Sequence, residues 1–178
     1  MDKINKMKRV IFDTNIYGLL AIDEDRLNVI NKLKTTNKLI IYGFKIVRNE
    51  LRDIPASLKI QNKSLRIDLL NLYDAIVEEH TLDFDMSLQG IANNYYLAYR
   101  ELGGIKLREH IITDFMIVSA ASLNNLDIVV SNDEKSMLTE NAIRAYNLVN
   151  SVVNKKTPKF ITYRELKKLL RGTSNEFI

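Results

Sequence analysis

Five short apolar runs, rich in β-branched and aromatic residues and separated by longer stretches of helical spacing, constrain the fold of this chain more than any other feature. They are Lys8 to Phe12, Leu39 to Tyr42, Ile76 to Leu82, Asp127 to Ser131 and Phe160 to Thr162. Strand-length runs that alternate with helix-length segments predict an α/β architecture, because parallel neighbours in a sheet need a crossover, usually helical, to connect them. Only 2 prolines and 6 glycines occur in 178 residues, and they do not gather into a linker. Residues 1–178 are therefore expected to form one domain.

The segments between the runs read as helices. Asp13-Thr14-Asn15, residue types that favour turns and caps, follow the first run, so a strand should feed a helix there. Asp23 is expected to cap a further helix in which Leu27, Ile30 and Leu33 recur, up to a polar break at Lys34 to Asn37. Lys45 to Asp53 predicts a short helix ended by Pro55, with Glu50 near its middle. The stretch from Ser57 to Leu102 reads as mostly helical, with Leu58, Leu65, Leu69 and Leu72 in one segment and Leu88, Ile91, Tyr95 and Leu97 in another. Gly103-Gly104 breaks the chain, and His110 to Leu123 is so uniformly apolar that a deeply packed helix is expected, with Asp114 in its first turns. A last helix, the Phe160 to Thr162 strand and a terminal helix complete the pattern.

Composition removes several classes of function. The chain has no cysteine, which excludes disulfides, thiolate zinc sites and thiol nucleophiles and fits a reducing, cytoplasmic setting. No apolar run approaches the roughly 18 residues of a membrane span, so no membrane association is expected. A formal net charge of +4 permits a polyanionic partner without requiring one.

The chemistry must then come from acids. In open parallel sheets ligands bind beyond the carboxyl ends of the strands. Asp13 directly follows the first run and Asp133 follows the Asp127 to Ser131 run, so neighbouring strands would bring the two together. Glu50 and Asp114 ride on helices able to pack beside them. Clustered carboxylates raise each other's pKa values unless a cation neutralises them, and hard oxygen donors suit Mg²⁺ or Mn²⁺.

Four segments in order, Val10-Ile11-Phe12-Asp13-Thr14-Asn15, Ile46-Val47-Arg48-Asn49-Glu50-Leu51, Thr113-Asp114-Phe115-Met116-Ile117-Val118-Ser119-Ala120-Ala121 and Ile128-Val129-Val130-Ser131-Asn132-Asp133, resemble the motifs of PIN domains. The resemblance implies a PIN-like three-layer fold, a central mainly parallel sheet flanked by helices, and magnesium- or manganese-dependent cleavage of nucleic acid, usually RNA. It implies Asp13, Glu50, Asp114 and Asp133 as catalytic metal ligands, with Thr14, Asn15 and Ser131 steadying the metal, its waters or the carboxylates. Many small prokaryotic members are VapC-like toxins, which implies an antitoxin partner. The region at about 57–105 looks enlarged beside compact toxins, and leaves open a homodimer contact, an RNA-processing role outside toxin systems, or a non-catalytic RNA- or protein-binding module.

Each acid alone has an ordinary reading. Asp13 can cap a helix, Glu50 can be an exposed helix acid, Asp133 can shape a turn, and Asp114 can favour a helix N-terminus. His110 and His80 lack a second ligand at metal spacing. Asp83 and Asp85 lack strand-end partners. Tyr95, Tyr96 and Tyr99 beside Arg100 have the makings of a base-stacking platform, but such a stripe is more often core. Lys155, Lys156, Lys159, Arg164, Lys167, Lys168 and Arg171 make the C-terminal region basic, as a phosphate guide or as a solvated face.

Overall fold

The computed structural model describes residues 7–172. Residues 1–6 and 173–178, which the one-domain expectation includes, lie outside the described residues. Five parallel strands form one sheet: β1 (Lys8–Phe12), β2 (Leu39–Phe44), β5 (Thr81–Leu82), β6 (Ile128–Val130) and β7 (Lys159–Ile161), in the order β5-β2-β1-β6-β7. A separate two-stranded hairpin, β3 (Lys59–Ile60) with β4 (Lys63–Ser64), projects between helices. The helices are α1 (Thr14–Ile22), α2 (Arg26–Thr35), α3 (Lys45–Asp53), α4 (Leu65–Val77), α5 (Met86–Glu101), α6 (Ile112–Leu123), α7 (Glu140–Val152) and α8 (Tyr163–Arg171).

The chain winds from β1 outward to β2 and β5, crosses back to β6, and then winds outward the other way to β7. Right-handed crossovers that run in opposite directions place their helices on opposite faces of the sheet. Accordingly α4 packs on α1 and α3, while α5 packs on α6 and α7. The winding reverses between β1 and β6, and the carboxyl side of that boundary is where such sheets form a binding crevice.

Burial follows from strand position. Val10, Ile11, Phe12, Val129 and Val130 in the central strands are fully or almost fully buried, as expected where both faces are covered. Gly43 on β2 lets α4 approach closely, since a Cβ there would run into the Tyr73 hydroxyl and Val77. Gly103 ends α5 in a left-handed conformation, φ 90°, which explains a glycine at that break.

Several sequence expectations need correction. Ile76 and Val77 belong to the end of α4, where they pack inward, and the strand beyond them is only Thr81–Leu82. Leu58 is not on a helix with Leu65, because Gln61 and Asn62, both at positive φ, turn the chain into the β3–β4 hairpin. Asp23 ends α1 rather than starting α2. Its carboxylate is claimed by the Asp25 N–H and by the Tyr163 hydroxyl and Lys167 ammonium of α8. The buried side of α2 is Val29 and Leu33, with Leu27 exposed. His110 lies in a short 3₁₀ turn ahead of α6. Tyr95 and Tyr99 are core residues packed edge-on against Phe115. Among the described residues no helix is long and apolar enough to cross a membrane.

Candidate active site at the carboxyl edge of the sheet

Asp13 is the residue at which β1 becomes α1. Its N–H continues the ladder to the Val130 carbonyl at 2.9 Å, while its Oδ1 accepts the Thr14 N–H at 2.7 Å and caps the helix. Capping uses one oxygen only. Oδ2 accepts the Ser131 hydroxyl at 2.6 Å and the Asn15 amide, although Asp13 is only 5% exposed. Burial raises the Asp13 pKa to about 6, against the lowering effect of Ser131 and Thr14, and the charges of Glu50 and Asp133 push it further upward.

Ser131 ties together two strand ends. The hydroxyl that donates to Asp13 also accepts the Asp133 N–H at 3.0 Å, so the β6 loop is held in register with the start of α1. Asp133 forms a tight turn in which its Oδ1 accepts the Lys135 and Ser136 N–H groups at 2.9 Å each. Asn15 adds a second strap, its Oδ1 accepting the Asn132 N–H at 3.3 Å, and the Asn132 Oδ1 in turn accepts the Tyr163 N–H at 2.8 Å. The first turn of α8 is thereby fastened to the same edge.

Glu50 reaches the edge from α3, where the Thr14 hydroxyl donates to its Oε2. Val47 and Leu51 bury the inner side of α3 and orient the helix. Burial raises the Glu50 pKa; the Thr14 bond opposes the rise and Asp53 adds to it.

Asp114 sits in the first turn of α6, below the other three. Its Oδ2 is buried without a hydrogen-bond partner. Burial raises its pKa to about 7, with the charges of Asp13, Asp133 and Glu50 adding to the rise against the lowering influence of the Ser136 hydroxyl. That hydroxyl donates to Asp133 Oδ2. One hydroxyl proton cannot serve two carboxylates, so Asp114 is left with a charge that its surroundings do not answer.

The fold thus brings all four acids to one edge and into electrostatic contact. It also turns most of their oxygens toward hydroxyl and amide donors, and among the described residues no three His, Cys, Asp or Glu side chains converge as a metal-holding group. Thr14, Asn15 and Ser131 lie where the motifs place them, each bonded to one of these acids. Asp83, Asp85, His80 and His110 are not among the groups whose charges or bonds act on Asp13, Glu50 and Asp114.

Two participants escaped the sequence reading. Ser136, 4% exposed, stands between Asp133 and Asp114; the turn-forming Asp-x-x-Ser spacing was a signal for its bond to Asp133, but nothing local pointed to Asp114. Tyr146 of α7 lies fully buried beneath the site, close enough to feel the Asp114 charge, and its hydroxyl donates to the Met137 carbonyl at 3.1 Å, anchoring the loop that carries Asp133.

No family model and no curated protein matches this chain. Among solved structures, a chain in the crystal structure of VapBC2 from Rickettsia felis bound to a DNA fragment from their promoter matches with a TM-score of 0.55 and 17% identity, over 86% of this chain and 98% of that one. Identity at this level carries the fold alone. This chain has the PIN-like arrangement, a five-stranded parallel sheet flanked by helices, and the likeness extends over most of it.

Proposed function

We propose that the chain is a divalent-metal-dependent nuclease that hydrolyses RNA phosphodiester bonds, acting as the toxin of a toxin–antitoxin pair. The observation that carries this reading is the buried, unpartnered Oδ2 of Asp114 among three further acids at the switch point of the sheet. A structural role does not call for such a group, because an unanswered buried carboxylate costs stability. Hard oxygen donors and raised carboxylate pKa values fit Mg²⁺ or Mn²⁺, which would hold these acids ionised.

Asp13 and Asp114 are the residues assigned to hold the metal directly, with Asp133 and Glu50 completing the acidic shell. Bound there, the ion supplies Lewis acidity and positive charge against the charge that develops on a phosphate under attack. Glu50, whose Oε2 is bound by the Thr14 hydroxyl, is the residue assigned to take the proton of the attacking water through Oε1. Thr14 and Ser131 fix the carboxylates they touch, and Asn15 with Asn132 keeps α1, the β6 loop and α8 from drifting apart. Attack by water with departure of the 3′ oxygen would leave a 5′ phosphate and a 3′ hydroxyl. The VapBC2 likeness supports an antitoxin as the protein partner.

The test is cleavage of mixed RNA by the purified chain with Mg²⁺ or Mn²⁺, beside excess chelator and beside Asp13→Asn. Cleavage is expected only in the wild-type protein with metal. Equal cleavage in chelator, or by Asp13→Asn, removes the proposal.

A further inference from the structure

The sheet edge opposite the acids has the reverse charge. There, Lys8 N–H donates to the Lys38 carbonyl at 2.8 Å, Asp127 N–H to the Arg9 carbonyl at 2.8 Å, and Lys159 N–H to the Asp127 carbonyl at 2.9 Å. The amino ends of β2, β1, β6 and β7 therefore stand side by side, bearing Lys38, Lys8 with Arg9, Asp127 and Lys159. At a strand spacing of about 4.8 Å the row spans roughly 14 Å. Lys34 at the end of α2 and Lys155 and Lys156 beyond α7 widen it. Among the described residues of these segments Asp127 is the one acid, and its Oδ2 already accepts the Arg9 N–H at 2.9 Å. Exposed amides, Asn37, Asn124, Asn125 and Asn154, fill the spaces between the cations. Glu78 and Glu79, just ahead of β5, bound the band on one side.

Helices that end at this edge offer a simpler account, since cations are favoured near helix C-termini. That account covers Lys34, in the last turn of α2, and Arg9, whose guanidinium donates to the Asn125 carbonyl after α6. It does not cover Lys8 and Lys38, which stand at strand ends, where no helix dipole acts, while the Lys159 charge also reaches Glu165 on α8. Nor does it cover Lys155 and Lys156, because α7 carries no basic residue in its last turn and both lie beyond its cap. Surfaces that serve only solubility intersperse the two signs of charge evenly, whereas the row here holds one acid, Asp127, among its cations.

We infer that the amino edge of the sheet is a docking surface for the phosphate backbone of a nucleic acid, separate from the acidic edge. The inference rests on the nuclease reading for its choice of polyanion. An acidic edge repels a polyanion at long range; a basic band about 17 Å away, the length of a five-residue strand, gives a long substrate its footing without crowding the acids. The basic C-terminal region read from the sequence is in fact divided. Lys155 and Lys156 serve this edge, the Lys159 charge also reaches Glu165 on α8, Lys167 is committed to Asp23, and Arg164 lies one residue from the Asn132 strap at the other.

The experiment uses the full chain carrying Asp114→Asn, so that binding is read without cleavage. Anisotropy of a labelled single-stranded RNA of about 30 nucleotides, several times a typical single-strand site size, is followed across a salt series. Lys38→Glu with Lys156→Glu is compared with Lys59→Glu and Lys63→Glu on the exposed hairpin, a pair with the same change in net charge. The amino-edge pair should weaken binding by about 10-fold or more and flatten the log–log salt slope by about 1.4, near 0.7 for each lost phosphate contact. The hairpin pair should do much less. Equal losses in the two pairs, or undiminished RNA binding in the amino-edge pair, would overturn the inference, as would loss of binding to phosphatidylserine vesicles with RNA binding intact. In the otherwise wild-type chain, the amino-edge pair should cleave a dinucleotide, which is too short to reach from one edge to the other, as well as the parent does; a drop there would also overturn it. A parent that cleaves no RNA sinks the nuclease reading instead, and the binding comparison still stands or falls separately.

Discussion

The two ends of α6 bury polar groups in opposite ways. At its C-terminal end, Ser122 joins Tyr95, Asn150 and Thr157 in a closed network. The Tyr95 hydroxyl donates to Asn150 Oδ1 at 2.6 Å, and the Asn150 amide donates to the Ser122 hydroxyl at 3.1 Å and to the Thr157 hydroxyl at 3.0 Å. At its N-terminal end, half-buried Asp114 has a buried oxygen that meets no partner, with three acids nearby. A satisfied buried network specifies one packing of α5, α6 and α7, whereas an unsatisfied one marks where stability has been given up for another purpose. The contrast locates the working end of the helix more sharply than either cluster would alone.

The largest effect that tests this contrast comes from Asp114→Asn. Cleavage should fall about 1,000-fold, equivalent to about 4 kcal/mol in the barrier. The same variant, measured by urea unfolding near pH 8 without metal, should be more stable than the parent, because the buried charge is gone. A variant that lost stability instead would place Asp114 with the structural cluster.

Next in size is a dependence on pH. The Asp114 pKa rises from an ordinary 3.8 to about 7 and that of Asp13 to about 6, so the folded chain holds protons that the unfolded chain has released. Metal-free stability should therefore be highest near pH 4, fall by a few kcal/mol as pH rises toward about 7, and level off above it. Asp114→Asn should flatten the upper part of that fall. Urea midpoints measured across this range decide the matter, and a profile that rises with pH would contradict the raised values.

The smallest effects belong to the satisfied end. Asn150→Ala should cost about 2 kcal/mol, since it removes the 2.6 Å acceptor of Tyr95 and the donor to Ser122 and Thr157 and leaves Tyr95 and Ser122 only their own 3.2 Å bond, and Tyr95→Phe about 1 kcal/mol. Cleavage per folded molecule should be unchanged in both. A fall in specific activity would show that the two ends of α6 are coupled.

The sequence disclosed the acidic edge better than its supports. Asp13 and Asp133 were legible because each ends an apolar run, and Glu50 and Asp114 only through the resemblance of their segments to PIN motifs, since an acid on a helix alone has an ordinary reading. Ser136 and Tyr146 were not, since their importance arises only when α6, α7 and the β6 loop meet. The strand after α4 was misplaced because Ile76 and Val77 look the same finishing a buried helix as starting a strand. The β3–β4 hairpin turns through Gln61-Asn62 rather than a glycine, so it left little local trace. Asp23 reads as a helix start, and only the approach of α8 makes it a helix end.

The position of β1 between β2 and β6 has a consequence for biosynthesis. Asp13 emerges from the ribosome before Ser131, its bonding partner, which stands 118 residues later in the chain. The early segments can pair β1 with β2 and pack α1 to α4, yet the edge that gathers the acids stays open until β6 slots in beside β1. On the nuclease reading, a nascent chain would stay inert until β6 has been made, and a product truncated before β6 would share that inertness.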